Sequence, residues 1–153
     1  MRERPYKHAL DLLQHAGLRP TKQRLALARF LFDGHDRHIT AEQLHARALD
    51  DRVSVSLATV YNTLHQFTRA GLLREVVVDA NRSYFDTNTS DHHHFFHEKT
   101  GELQDIRDLV VANLPQPPRG ARIARVDVVV RLDDTEDTAA GESIFGETAA
   151  AAR

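Results

Sequence analysis

The sequence contains no cysteine. This absence excludes disulfide bonds, zinc–thiolate sites and cysteine nucleophiles, so any bound metal must take nitrogen and oxygen ligands. Long apolar runs are also absent, since none approaches the roughly 18 consecutive apolar residues of a membrane-spanning helix. The N-terminal sequence MRERPYKHAL is charged throughout, unlike a secretory signal. We therefore expect a cytoplasmic protein with no membrane partner.

Histidine is the residue type in excess. The 153 residues include ten histidines, four of which lie within positions 92–97. In an extended segment alternate side chains share a face, so His92 and His94 are predicted to point one way and His93 the other. Two imidazoles on one face make half of a metal site.

Three residues outside this run are candidates to complete the site, because each ends a predicted element. They are His38, Asp86 and Asp105. Nitrogen and carboxylate ligands without sulfur favour Fe(II), Zn(II) or Mn(II), and histidine is also an axial ligand of haem. The chemistry alone does not choose among these cofactors. The competing interpretation is a solvated histidine-rich loop.

The net charge of −2 conceals a strong asymmetry. Up to Phe30 the chain has seven basic and two acidic residues, whereas residues 133–153 have six acidic residues and one arginine. A basic head is typical of a DNA-binding domain. The acidic tail, low in apolar residues, is predicted to be disordered.

The head is predicted to fold as four helices followed by a two-stranded hairpin. The three later helices begin after the capping residues Thr21, Thr40 and Ser56. The hairpin strands are predicted over 73–78 and 83–86. Helices followed by a hairpin are typical of a winged helix-turn-helix DNA-binding domain, which we place over residues 1–86.

The predicted fourth helix has a polar face that suits DNA recognition. Asn62 and Gln66 can read adenine, and Thr59 can contact a thymine methyl group, which suits an A·T-rich site. Arg24 on the second helix is free to meet solvent or phosphate. Such a face also occurs on helices that are merely solvated, but the basic head, the capped helix and the hairpin together favour DNA.

Residues 87–132 are predicted to form a small α/β dimerisation domain, which makes the overall fold class α+β. Strands are predicted over 95–97, 103–106 and 122–132, with a brief helix near 108–114. Roughly 45 residues bury little surface alone, so we expect a homodimer.

The order and spacing of five segments resemble the ferric uptake regulator (Fur) family from about Ala16 to Asp105. The segments are AGLRPTKQRLAL, HITAEQLHARAL, SLATVYNTLHQFTRAGLL, SYFD and DHHHFFHEKTGELQDI. The resemblance implies a homodimer that has N-terminal winged helices, C-terminal dimerisation domains and a regulatory metal between them.

Residue by residue, the resemblance implies a metal site and a DNA-binding surface. The implied metal ligands are His38, Asp86, His92, His94 and Asp105. Major-groove contacts fall on Thr59, Tyr61 and Asn62, and Arg19 matches a position that reaches the minor groove.

The chain also departs from the usual pattern of the family. His97 and Thr100 stand where many members have a Cys-x-x-Cys pair, and Asp86 stands where glutamate is usual. The cysteine-free histidine run and the segment LPQPPRGARIARVDVVVRL are more similar to the iron response regulator (Irr) branch of alphaproteobacteria. In that branch haem binds the histidine run, which here is His92, His93 and His94, and lowers DNA affinity.

The leading hypothesis is therefore an iron- or haem-responsive transcriptional regulator that binds A·T-rich operator DNA as a dimer. It would control genes of iron uptake and haem biosynthesis. The alternative is a Fur-type repressor with Fe(II), Zn(II) or Mn(II) as corepressor. A metallohydrolase would use the same ligands but lacks an evident general base, and a haem or metal buffer leaves the winged helix unexplained. We expect no enzyme activity.

Overall fold

The computed structural model describes residues 6–133. The helices are α1 (Lys7–His15), α2 (Lys22–Leu31), α3 (Ala41–Asp50) and α4 (Leu57–Arg69), and the short strand β1 (His38–Ile39) precedes α3. The later strands are β2 (Arg74–Asp79), β3 (Arg82–Asp86), β4 (His93–His97), β5 (Leu103–Ile106) and β6 (Val129–Leu132). None of the helices in this range is long and apolar enough to cross a membrane.

Side-chain caps fix where three helices begin. The hydroxyls of Thr21 and Ser56 accept the backbone N–H of the third residue beyond them, which satisfies donors that have no partner inside the helix. Thr40 and Gln43 form the complete capping box. The predicted starts of α2, α3 and α4 are confirmed.

The four helices and the first sheet enclose the main core. Its fully buried side chains come from every helix and from β3, and include Leu13, Leu31, Leu44, Phe67 and Phe85. The exclusion of this much apolar surface from water is the main force that holds α4 against α2 and α3.

The first sheet has the strand order β1-β3-β2. The hairpin of β2 and β3 was predicted, whereas β1 was not, because two residues are too few to show a strand period. Consecutive residues of β3 face opposite ways: Phe85 enters the main core, and Tyr84 enters a second core with Val76, Phe96 and Leu103. The hairpin therefore lies between the helices and the second sheet.

The second sheet has the order β5-β4-β6, in which β4 is antiparallel to β5 and parallel to β6. The predicted strand over 122–132 is too long, because β6 pairs with β4 only from Val129 to Leu132. The predicted helix near 108–114 is wrong. Those residues are irregular, Asn113 has a φ of 57°, and the side chains of Val110 and Leu114 are exposed, so no apolar surface supports a short helix there. Apart from Asp133, the predicted acidic tail lies outside the described residues.

Candidate metal centre and nucleic-acid surface

Two cross-strand residue pairs, one from each sheet, form a cluster of imidazoles and carboxylates. His38 of β1 is the partner of Asp86 of β3, and His94 of β4 is the partner of Asp105 of β5. His92, just before β4, completes the group. One ligand atom from each of these five residues lies within 4.8 Å of every other. The structure thus brings together all five residues that the sequence nominated as metal ligands.

The Nε2 atom of each histidine approaches both carboxylates. From His38 the distances are 3.1 Å to Asp86 Oδ2 and 2.8 Å to Asp105 Oδ1. The corresponding distances are 2.8 and 3.1 Å from His92, and 3.1 and 3.2 Å from His94. Asp86 is fully buried. Three nitrogens therefore converge on two carboxylate oxygens, one on the buried Asp86 and the other on Asp105, whose side chain is 37% exposed.

His92 indicates what this arrangement requires. Its Nδ1 lies 2.7 Å from the Ser90 carbonyl oxygen, which can only accept a hydrogen bond, so Nδ1 carries a proton. Its Nε2 lies 2.8 Å from Asp86 Oδ2, which also accepts. A neutral imidazole has one proton and cannot donate to both. Either a second proton or a metal ion must therefore lie between Nε2 and the carboxylates.

The pKa values of Asp86 and His38 also indicate that the cluster needs positive charge beside its carboxylates. Burial alone would raise the pKa of Asp86, but hydrogen bonds from His38, His94 and the Asn88 backbone N–H outweigh it and hold that pKa far below its usual range. Burial would lower the pKa of His38, but the hydrogen bonds and negative charge of Asp86 and Asp105 raise it. In the metal-free cluster these shifts favour the ionised form of Asp86 and the protonated form of His38.

A divalent cation fits the same positions. Bonds of about 2.0–2.2 Å to nitrogen and carboxylate oxygen place opposite ligands of one ion about 4.2 Å apart, close to the spread of these five atoms. Two carboxylates also balance the charge of a divalent ion. The nitrogen and oxygen ligand set suits Fe(II), Mn(II) or Zn(II).

His93 does not join this cluster. Its side chain points to the other face of β4, where Nδ1 accepts the Val128 backbone N–H at 3.1 Å. It lines a cavity whose other walls include His92, Ile106, Leu109 and Val126. The three histidines predicted to bind haem are therefore divided between two faces of the strand.

Four of the five residues predicted to contact DNA line one surface cleft. Arg19, Arg24, Thr59 and Asn62 meet there beside the start of α2. The Arg24 guanidinium donates to Gln66 Oε1 at 2.9 Å and to the Arg19 carbonyl oxygen at 2.8 Å, which fixes its direction.

Tyr61 is the exception, because it lies outside the cleft. Its hydroxyl donates to Glu42 Oε1 at 2.6 Å, and this bond raises the pKa of the phenol. Gln66 was noted on the polar face of α4, but sequence spacing gave no sign that it would hold Arg24, 42 residues away.

Comparison with known proteins settles the family. The model of the ferric uptake regulator family matches residues 15–128. The chain belongs to the ferric uptake regulator family. Members of this family are metal-responsive transcriptional regulators that bind DNA as dimers, and they are not enzymes.

Relatives and solved structures of Fur proteins agree with this assignment. The peroxide-responsive repressor PerR of Staphylococcus aureus is 33% identical over 105 residues, which cover 69% of this chain and 70% of the relative. The structure of Fur from Pseudomonas aeruginosa with manganese has a TM-score of 0.63 at 26% identity and covers 84% of this chain and 98% of that one. A zinc-bound manganese uptake regulator has a TM-score of 0.58 at 25% identity and covers 82% and 99%. These matches do not test the narrower assignment to the Irr branch, which stays a prediction.

We predict that His92→Ala and His94→Ala each weaken Zn(II) binding by at least about tenfold. Loss of a residue that only hydrogen-bonds to a metal ligand already lowers metal affinity by about that factor. His93→Ala is the matched control and should keep the affinity of the unmodified chain, because this imidazole lies on the other face of β4. Competition with a chromophoric chelator measures the affinity. An equal loss in all three variants would contradict the assignment.

Proposed function

We propose that this protein is a Fur-type repressor whose affinity for operator DNA is raised by a divalent metal ion bound to His38, Asp86, His92, His94 and Asp105. The proposal rests on one observation: the five ligands come from two different sheets. His38 and Asp86 come from the sheet that packs on the helices, and the other three belong to the second sheet or its entry. An ion bound to all five fixes the two sheets relative to each other.

The ligand chemistry and the relatives support Fe(II), Mn(II) or Zn(II) as the ion. Imidazole and carboxylate ligands are compatible with all three. The similar Pseudomonas aeruginosa structure is of Fur with manganese, and another is a zinc-bound manganese uptake regulator. The name of the PerR relatives adds a response to peroxide as a property to test on the iron-loaded protein.

The DNA-binding surface in this proposal is the cleft of Arg19, Arg24, Thr59 and Asn62. Its two guanidiniums provide positive charge for phosphate contacts, while Thr59 and Asn62 on α4 present groups that read base edges. Tyr61 reaches a base only after its hydrogen bond to Glu42 opens.

Dimerisation through residues 87–132 is part of the proposal. This segment leaves apolar side chains in water, and such patches favour a protein partner. They are Leu109, Val110, Leu114 and Ile123. A second copy of the chain that covers them would place two DNA-reading helices on one duplex. The domain boundary at residue 86 and the cytoplasmic location stay predictions.

We predict that Mn(II) tightens binding to an A·T-rich operator duplex by about tenfold or more, within the usual range of coupling between two sites. Asp105→Asn removes one metal-ligating carboxylate and should abolish the enhancement, while leaving metal-free binding unchanged. Asp108→Asn, at an exposed position just after β5, is the matched control and should retain it. Fluorescence anisotropy at fixed salt gives the affinities. Metal that weakens binding, or enhancement that survives Asp105→Asn, would overturn the proposal.

Haem as a dissociating signal is a second candidate, favoured by the cavity beside His93. The imidazoles of His92 and His93, apolar walls, and Arg107 and Arg125 line this space. Histidine ligates haem iron through an unprotonated ring nitrogen, and arginine pairs with carboxylates such as those of haem propionates. Ligation by His93 Nε2 requires that Nδ1 release the Val128 N–H and take the ring proton. The cavity lies on the face of β4 opposite His94.

If haem binds in this cavity, titration of the purified chain produces a Soret band. The band should be lost in His93→Ala and kept in His94→Ala, because only the first imidazole lines the cavity. No band in the unmodified chain, or a band that is equal in both variants, would reject this site.

A further inference from the structure

Arg74, at the start of β2, is a buried cation whose contacts converge on the entry to the metal centre. Its side chain is only 5% exposed. Nη1 donates to the Ser90 carbonyl oxygen at 3.0 Å and to Asp91 Oδ1 at 2.9 Å. Nη2 donates to Asp127 Oδ1 at 2.8 Å. Nε has no partner among residues 6–133.

Stability alone is a weak reason to bury this guanidinium. Removing a charged group from water costs several kcal/mol, which an ion pair repays only with good geometry. The partner Asp91 is 97% exposed and Asp127 is 42% exposed, so both carboxylates are well solvated and attract the cation only modestly. Burial does, however, hold the planar guanidinium of Arg74 in one fixed orientation.

The fixed direction matters because the Ser90 carbonyl oxygen is shared. It accepts from Arg74 Nη1 and also from His92 Nδ1, at 2.7 Å. Ser90 lies in the irregular segment between β3 and β4, where no strand pairing holds its peptide. Arg74 thus holds in place the carbonyl oxygen that accepts the hydrogen bond from His92 Nδ1.

We propose that Arg74 is a positioning residue for the metal centre. By holding the Ser90 carbonyl, it keeps the His92 proton on Nδ1 and directs the Nε2 lone pair toward Asp86 and Asp105. Groups that bind the second nitrogen of a ligating histidine fix its tautomer and ring orientation in this way. The inference rests on the proposed function, since it assigns Arg74 to the same metal site.

The test compares two substitutions in the same group of ion pairs: one removes the Arg74 guanidinium, and with it the pairs to Asp91 and Asp127, and the other removes only the charge of Asp127. Arg74→Met removes the bond to Ser90, whereas Asp127→Asn weakens the other side of Arg74 and leaves that bond intact. We expect Arg74→Met to weaken Zn(II) binding about ten- to a hundredfold, and Asp127→Asn to keep the affinity of the unmodified chain. Equal losses in the two variants would overturn the proposal.

A measurement on the metal-free, unmodified chain separates this inference from the proposed function. Histidine-ring ¹⁵N NMR above the ordinary histidine pKa of about 6.5 reports which nitrogen of His92 carries the proton. We expect Nδ1 to carry a proton in the unmodified chain, whether or not Nε2 also does, and to lose it in part in Arg74→Met. A His92 Nδ1 without a proton in the unmodified chain would refute the positioning role even if the variant fails to fold. Failure of the chain to bind any metal would instead refute the proposed function.

Discussion

The cluster depends on one electrostatic constraint: three imidazole nitrogens surround two carboxylate oxygens, one of them on a fully buried residue, Asp86. Anionic oxygens this close repel each other and are costly to bury without a cation. In the metal-free chain the His38 imidazole helps to meet that need, since the two carboxylates raise its pKa. A divalent ion bound to all five ligands would supply the needed positive charge from one position.

This constraint links the two sheets. The cross-strand pair of His38 and Asp86 belongs to the sheet whose hairpin packs on the helices, and the pair of His94 and Asp105 belongs to the other. Arginine contacts reinforce the same junction, since Arg131 donates to the Val78 carbonyl oxygen and Arg74 pairs with Asp127. In the proposed function, the position of α4 is therefore coupled through β3 to the occupancy of the metal site.

Local signals in the sequence were enough to predict the four helices of the N-terminal half and to single out five residues that the fold brings together. Caps at Thr40 and Ser56 and the spacing of apolar residues defined α3 and α4, and alternation along an extended strand separated His93 from His92 and His94. Features that depend on distant partners were not predicted. β1 exists because β3 pairs with it, and Arg74 is buried because Ser90, Asp91 and Asp127 surround it. The helix near 108–114 was wrong because periodicity alone cannot supply a surface for it to pack on.

The division of the histidine run also separates two kinds of chemistry. His92 and His94 face the carboxylates, where a divalent ion fits, and His93 faces a cavity lined by both apolar side chains and arginines. A family resemblance assigned all three to one haem site. Strand geometry instead allows a metal and a haem to be sensed on opposite faces of β4 without shared ligands.

The central claim is that one ion holds both sheets at once. Hydrogen–deuterium exchange of the full chain with and without Mn(II) tests it directly, because exchange reports local opening of each strand. The account predicts that metal slows exchange in β1 and β3 together with β4 and β5. Protection confined to β4 and β5, with β1 and β3 unchanged, would contradict it.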